Sequence, residues 1–150
     1  MNLEIRTANL EHLEDLAPLF DAYRVFYKEV SDLERARNFL LERIQKSDSV
    51  IYLAYDGIKP LGFTQLYPSF SSVSTNRLWI LNDLYVIPEA RGLRVGERLI
   101  ERAFQLARDT NARGVQLETA HTNLSGQKLY ERLGFEREDL EYRTYFKAFD

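Results

Sequence analysis

The chain has 150 residues, which is the length of one domain by the usual range of about 100 to 200 residues. Hydrophobic residues make up 45% and charged residues 29%, so a disordered or collagen-like chain is excluded. A net charge of −3 disfavours wrapping of nucleic acid, and the lack of cysteine excludes disulfides, thiolate zinc sites and a cysteine acyl-enzyme. We therefore expect a single domain over residues 1–150.

The amino-terminal third predicts one strand and two helices. Residues 3–7 alternate weakly as a short strand, and Asn9 is placed to cap a helix that extends to Tyr27. Asp32 opens a second amphipathic helix. The amino terminus lacks a basic start followed by an apolar segment, and no 18 apolar residues run together, so we expect a cytoplasmic protein without membrane association.

The middle of the chain predicts three strands. Residues 50–55 and 61–67 are rich in β-branched and aromatic residues and flank an Asp56-Gly57 turn, which predicts an antiparallel hairpin. A loop over 69–76 leads to a long central strand at 78–86. Pro88 ends it, because proline cannot donate to the ladder of hydrogen bonds.

The second half alternates helices with strands, completing an α+β fold whose mixed, mostly antiparallel sheet is flanked by helices. The firmest element is an amphipathic helix with apolar residues three and four apart. In chain order the predicted elements are that helix from Val95 to about Thr110, a strand at 114–119, a helix at 124–133 ended by Gly134, and last strands from Phe135 and 142–149.

Most standard catalytic constellations are missing from the sequence. His12 and His121 are the only histidines, and no HExxH spacing is present, so we predict no metal site. The sequence has no G-x-S-x-G elbow, which would predict a serine hydrolase. It also has no P-loop and no G-x-G-x-x-G loop, which would predict a nucleotide-binding fold.

The segment 91–97 lies between the end of a strand and the strongest helix. Backbone N–H groups at a helix amino terminus can cradle a pyrophosphate, and glycine permits close approach. Residues 91–113 carry six arginines in an otherwise acidic chain. The alternatives are an ordinary loop before a surface helix and a nucleic-acid module on this arginine face, which the net charge disfavours.

Two segments resemble the signatures of the GNAT N-acetyltransferases. The strand Asn82–Val86 and the following Pro88–Gly96 resemble the family's acetyl-CoA loop, Q/R-x-x-G-x-G/A, and residues 123–135 resemble its second signature, N-x-x-A/S/G-x-x-L-Y-x-x-x-G-F. The chain departs from the first pattern at Arg94, which replaces a glycine. The string Asn82–Val86, with Tyr23, Phe26 and Tyr27, looks most like the histone and polyamine acetyltransferase type.

The resemblance implies acetyl-CoA as the co-substrate and predicts its contacts. The pantetheine arm would lie beside the central strand, and the Val86 amide would polarise the thioester carbonyl. An outward Arg94 side chain would leave the phosphate cradle intact, and an inward one would compete with the cofactor. The predicted cofactor-binding residues are Leu84, Tyr85, Val86, Arg91, Gly92, Leu93, Arg94, Val95, Gly96, Glu97 and Asn123.

Two catalytic residues are predicted, one from the resemblance and one from the chemistry of its strand. Tyr130 matches the family tyrosine that donates a proton or hydrogen bond to the departing CoA thiolate, and without the motif it reads as a core residue. Asp83 is the candidate for accepting the ammonium proton, because a carboxylate in an apolar strand is costly unless it is bonded or functional. A structural bond and a cation anchor are its alternatives.

For the acceptor we predict Tyr23, Tyr27 and Glu29, since aromatic faces and a carboxylate suit a cationic amine. The two tyrosines are alternatively a stripe of helix packing. The predicted reaction is direct attack of a small-molecule or peptide amine on acetyl-CoA in a ternary complex. Alternatives are a longer acyl donor, a protein acceptor, and a non-catalytic acetyl-CoA sensor or interaction module. Residues 140–149, with four aromatic side chains, could form a homodimer face or belong to the core.

Overall fold

The computed structural model of the protein describes residues 1–138 and 142–149, and the chain forms two compact units, Met1–Glu118 and Thr119–Asp150. The first unit holds five strands and three helices: β1 (Leu3–Thr7), α1 (Leu13–Phe26), α2 (Leu33–Lys46), β2 (Val50–Asp56), β3 (Lys59–Ser71), β4 (Asn76–Val86), α3 (Val95–Asp109) and β5 (Val115–Gln116). The second unit holds α4 (Leu124–Arg132).

The second helix begins directly after its predicted capping residue, whereas the first begins one turn later than predicted. The Asp32 carboxylate accepts a hydrogen bond from the Arg35 amide, as predicted for the start of α2. Asn9 instead caps a 3-10 turn at Leu10–His12, and α1 begins only after that turn. The predicted helix to Tyr27 is therefore confirmed from Leu13 onward.

The first unit contains one mixed sheet in the order β1-β2-β3-β4-β5. The first four strands are antiparallel neighbours, and β5 joins β4 in parallel. The loop predicted over 69–76 is shorter than expected, because β3 continues to Ser71 and β4 begins at Asn76. The predicted α+β fold with a mostly antiparallel sheet flanked by helices is confirmed.

Helices cover both faces of this sheet. Ile51, Leu53 and Tyr55 alternate along β2 and pack in one core with α1 and α2. Tyr52 points to the opposite face, where the guanidinium carbon of Arg102 in α3 lies 4.6 Å from its ring centroid. Within the described residues, no helix is long and apolar enough to cross a membrane.

The predictions for the carboxyl-terminal third were partly wrong. The strand expected at 114–119 is only two residues long in β5. Residues 135–138 and 142–149 form no strand, and Tyr142, Tyr145, Phe146 and Phe149 are exposed rather than core. Residues 140 and 141 of the predicted dimer face lie outside the described residues. Aromatic content favours strands only where a neighbouring strand is available, and local sequence does not show this.

Candidate active site

A β-bulge interrupts β4 at Asn82. Gln65 of β3 pairs with Asp83, while the next residue, Leu66, pairs with Leu81, so Asn82 is an extra residue without a partner in β3. A bulge bends its strand and increases the local twist. β4 therefore changes direction at this residue.

The bulge coincides with the point where β4 and β5 separate. Among the described residues, the two strands pair only through Trp79 with Val115 and Ile80 with Gln116. A cavity of about 400 Å³ lies where they diverge. Its walls come from α1, β4 and the residues at the end of β5: Tyr23, Tyr27, Ile80, Leu81, Asn82, Gln116, Leu117 and Glu118.

Within the first unit, no strand pairs beyond the bulge with the edge of β4 that faces away from β3. The Ile87 amide donates to the Leu61 carbonyl at 2.9 Å, which fixes the alternation of the preceding residues. The backbone groups of Leu84 and Val86 therefore point away from β3, and those of Tyr85 point towards it. Of the three predicted backbone contacts to the pantetheine arm, the open edge presents Leu84 and Val86 and not Tyr85.

The amino terminus of α3 follows β4 and begins with backbone N–H groups that no helical carbonyl accepts. The first intrahelical bond is donated by Arg98 to Arg94, and no side chain caps the helix, so Val95 and Gly96 have no intrahelical acceptor for their N–H groups. Gly92, earlier in this loop, has a φ of +80°, a conformation that favours glycine. This arrangement suits a bound anion such as a pyrophosphate.

Arg94 stands at the position where the family pattern has a glycine. Its backbone is left-handed, with a φ of 66°. Its side chain is 82% exposed, and its Nε lies 4.0 Å from the Glu97 carboxylate. The side chain thus takes the outward position, which leaves the backbone of the loop accessible. A left-handed residue with a Cβ costs about 1–2 kcal/mol.

Arg91 contacts β4 with its side chain. Its Nε donates to the Val86 carbonyl at 3.0 Å, and its guanidinium carbon lies 5.7 Å from the ring centroid of Tyr85 and 5.9 Å from that of Phe26. The Val86 carbonyl is therefore engaged, while its N–H group still faces the open edge. Arg91 links the end of α1 to β4.

Asp83 lies behind the cavity rather than in its wall. Its side chain is 4% exposed, and each carboxylate oxygen accepts one amide donor. Gln65 Nε2 donates to Oδ2 at 2.6 Å, and Asn82 Nδ2 donates to Oδ1 at 2.9 Å. Because Asp83 is not among the lining residues, a ligand in the cavity would reach it through Asn82 or Tyr23.

Two tyrosines flank Asp83. Tyr23 donates its hydroxyl to the Asn82 carbonyl at 3.3 Å, and burial together with the charge of Asp83 raises its pKa. Burial and the same carboxylate raise the pKa of Tyr67 to about 12. Both phenols therefore stay protonated at neutral pH.

The remaining predicted acceptor residues divide into two groups. Tyr27 lines the cavity, with its ring centroid 5.0 Å from that of Tyr23. Glu29 does not line it and lies 3.9 Å from Arg24. Within residues 1–138 and 142–149, no cluster of three or more His, Asp or Glu side chains could hold a metal ion.

In the second unit, Asn123 has the helix-capping role that was its structural alternative. Its Oδ1 accepts a hydrogen bond from the Gly126 amide at 3.2 Å, and its Nδ2 donates to Thr119 at 2.9 Å. Tyr130 packs edge-on against Phe135, with ring centroids 5.9 Å apart. The roles of both residues towards acetyl-CoA stay predictions.

Three residues of this region had no role predicted from the sequence. Gln65 and Ser49 form a polar chain behind Asp83, and Glu118 stands in the cavity wall. One feature of the sequence could have indicated Gln65, which is its large polar side chain in a mostly apolar strand. Ser49 and Glu118 carry none, because their positions depend on strand pairing.

The chain is similar to known acetyltransferases over most of its length. The sequence model of the acetyltransferase (GNAT) family matches residues 10–135. An uncharacterized N-acetyltransferase of Bacillus subtilis, YhfO, is 43% identical over 136 residues, covering 91% of each chain. A crystal structure of a probable acetyltransferase is 48% identical, covers 98% of each chain and superposes with a TM-score of 0.89.

A more distant structure shares the fold. AAC(6')-Iy in complex with a bisubstrate analogue, CoA-S-monomethyl-acetylneamine, is 21% identical with a TM-score of 0.84 and covers 99% of each chain. The family match spans most of the chain and includes both signature segments. The protein therefore belongs to the GNAT family and is an acetyltransferase.

Proposed function

We propose that this protein transfers the acetyl group of acetyl-CoA to a primary amine by direct attack within a ternary complex. The observation that carries the proposal is the open edge of β4 at Leu84 and Val86, followed by the uncapped amino terminus of α3. An amide-containing arm can pair with the first, and a pyrophosphate suits the second. The GNAT family uses acetyl-CoA, and the AAC(6')-Iy complex holds a CoA bisubstrate analogue on the same fold.

In this proposal Val86 assists the chemistry through its backbone. The amine nitrogen attacks the thioester carbonyl carbon, a C–N bond forms, and the C–S bond breaks. The Val86 N–H stabilises the charge that develops on the carbonyl oxygen. Sulfur leaves with the bonding electrons, and Tyr130, assigned from its motif, supplies the proton or hydrogen bond that the thiolate needs. If Tyr130 gives its proton to the thiolate, the second proton lost by the attacking nitrogen restores its hydroxyl.

The cavity beside Asn82 is the proposed acceptor site. An amine with a pKa near 10.4 is almost entirely protonated at pH 7, so a proton must be removed before attack. The buried carboxylate of Asp83 is the proposed acceptor of that proton, relayed by the Tyr23 hydroxyl. Tyr23 and Tyr27 present aromatic faces to the cation, and Glu118 adds a carboxylate to the wall.

Several finer assignments accompany this proposal. We propose the histone and polyamine acetyltransferase type, because Asn82–Val86 and the two tyrosines Tyr23 and Tyr27 resemble it. We also propose one functional domain over residues 1–150, which the family match across 10–135 supports. The exposed aromatics of 142–149 support a homodimer, which sedimentation would test. Cytoplasmic location stays a prediction for cell fractionation.

Acetyl-CoA binding is the first test. Calorimetry on wild type should give micromolar affinity, and Gly96→Glu should weaken it at least about tenfold, because a carboxylate would face the pyrophosphate at the helix terminus. Gly114→Glu is the matched control, since nothing lies within 4 Å of a Cβ at Gly114. Absence of binding to wild type would refute the proposal.

Thiol release then separates an enzyme from a binding module. With acetyl-CoA and a panel of primary amines, an acetyltransferase releases one CoA thiol for each acetylated amine. A sensor or interaction module, the competing interpretation, would bind acetyl-CoA and release none with any acceptor.

A further inference from the structure

Gln65 is a fully buried polar side chain in β3 that the proposed chemistry does not use directly. Its exposed fraction is 0%, and both ends of its amide are hydrogen-bonded. Nε2 donates to Asp83 Oδ2 at 2.6 Å, and Oε1 accepts from the Ser49 hydroxyl at 2.8 Å. Burying an amide is costly unless its polar atoms are paired, and here both are.

Ser49 determines which way the Gln65 amide faces. A side-chain amide has one accepting end and one donating end, and a flip would exchange them. With the Ser49 hydroxyl donating to Oε1, the NH₂ group must face Asp83. The flipped orientation would bring Oε1 against the carboxylate and leave the NH₂ group beside Ser49.

The result is a carboxylate with one amide donor on each oxygen. Asn82 supplies the donor to Oδ1, as Gln65 does to Oδ2. Donors to both oxygens favour the charged form of a carboxyl group. In the described part of the chain, no Lys or Arg forms an ion pair with Asp83, so its donors are neutral groups, which are the two amides and the Tyr23 hydroxyl.

The other ionisable groups around Asp83 are phenols. Tyr23 faces it from α1 and Tyr67 from β3, and both have raised pKa values, so neither carries charge at neutral pH. Arg43 and Asp48, from α2 and the turn after it, act on Tyr67 from further out and oppose each other. A change at Gln65 therefore alters the one strong donor to Oδ2 and leaves the nearby charges as they are.

We propose that Gln65, oriented by Ser49, is a positioning residue of the acceptor site that fixes the Asp83 carboxylate behind Tyr23 and Asn82 by donating to its Oδ2. The negative charge of Asp83 then attracts a cation in the cavity across Tyr23 and Asn82, which line its wall. The role in turnover rests on the proposed acetyl transfer, whereas the ionisation of Asp83 can be measured without it.

The direct test is the titration of the Asp83 carboxyl carbon by ¹³C NMR, assigned with Asp83→Asn. Gln65→Met removes the donor at similar volume and should move the midpoint of the Asp83 titration to higher pH than in wild type. Thr64→Val is the matched control, because the buried Thr64 hydroxyl donates at 2.8 Å to the Asp83 carbonyl and not to its carboxylate. Its titration should stay where wild type has it.

Ser49 offers a second pair of variants if Gln65→Met does not fold. Ser49→Ala removes the hydroxyl that orients the amide and should shift the titration in the same direction by a smaller amount. Ser49→Thr keeps the hydroxyl and should restore wild-type behaviour. Circular dichroism and thermal melting confirm that each compared variant is folded.

Kinetics supply the second readout. Gln65→Met should lower kcat/KM for the amine at pH 7 about tenfold and move the acid limb of the pH profile upward. In the Asp83→Asn background the same change should have little further effect, because the two residues act as one unit. Thr64→Val should leave the acid limb in place.

The outcomes separate this inference from the proposed function. An Asp83 titration that is identical in wild type, Gln65→Met and Ser49→Ala would overturn the positioning role, whatever the activity. A shifted titration in a protein that releases no thiol with any amine would support the positioning role and overturn the proposed function instead.

Discussion

Two tyrosine–aspartate pairs lie in the first unit, and they differ in what surrounds them. Tyr55 donates its hydroxyl to Asp15 at 2.8 Å, and Tyr23 lies beside Asp83. In both pairs, burial and the nearby carboxylate raise the pKa of the tyrosine. A shifted tyrosine therefore does not by itself mark an active site.

The difference lies in the carboxylates and the space next to them. Asp15 is exposed, and neither member of its pair lines the described cavity beside β4. The guanidinium carbon of Arg6 lies 4.4 Å from the Tyr55 ring centroid, which gives that pair a packing role. Asp83 is buried with amide donors, and its tyrosine opens onto the cavity. A buried charge matters for function where a ligand can approach it.

The strongest challenge to this comparison is to neutralise each carboxylate in turn. Asp83→Asn should lower kcat/KM with the amine about a hundredfold or more, because the group proposed to take the proton is lost. Asp15→Asn is the control and should leave kcat/KM unchanged. Equal losses in the two variants, or an Asp83→Asn enzyme with the wild-type acid limb in its pH profile, would contradict the assignment of Asp83.

Removing each tyrosine hydroxyl sharpens the comparison. Tyr23→Phe keeps the aromatic wall but loses the hydroxyl between the cavity and Asp83, so kcat/KM should fall about tenfold while acetyl-CoA affinity stays unchanged. Tyr55→Phe should keep wild-type kinetics and lose about 1 kcal/mol of unfolding free energy in urea. A kinetic defect in Tyr55→Phe would remove the distinction between the pairs.

The smallest expected effect concerns alkaline stability. Burial and Asp15 raise the pKa of Tyr55 to about 12, above the value near 10 of an unfolded tyrosine. Between these values the folded state holds more protons than the unfolded state, so this contribution is complete below pH 10 and is lost as pH rises towards 12. Urea unfolding between pH 9 and 11.5 should show Tyr55→Phe losing about 1 kcal/mol less than wild type. Parallel losses in both proteins would contradict this.

The sequence was most informative where structure depends on nearby residues. The Asp32 cap, the helix from Val95 and the turn at Asp56-Gly57 all follow from side-chain period or local backbone chemistry, and all were predicted. Tyr23 and Tyr27 were predicted for the acceptor from their aromatic faces, with helix packing as the alternative, and both line the cavity.

The features that the sequence did not reveal depend mainly on residues far apart in the chain. Whether Tyr85 faces β3 or the open edge depends on strand register, and the partnership of Gln65 with Asp83 arises only when β3 and β4 align. Glu29 lies 3.9 Å from Arg24 and outside the cavity lining, and its role towards the acceptor stays a prediction. The short β5 likewise depends on how far β4 stays beside it.

The bulge at Asn82 also reverses which face of the sheet the odd-numbered residues of β4 occupy. Leu81 shares a face with Leu66, whereas Asp83 shares the other face with Gln65, although both are odd-numbered residues of one strand. An uninterrupted strand would put Asp83 on the face of Leu81. Deleting Asn82 should therefore be more damaging than replacing it, because a deletion would turn Asp83 away from Tyr23 while leaving the catalytic side chains chemically intact. The spacing between Leu81 and Asp83, more than the residue inside it, is what a redesign of this strand has to preserve.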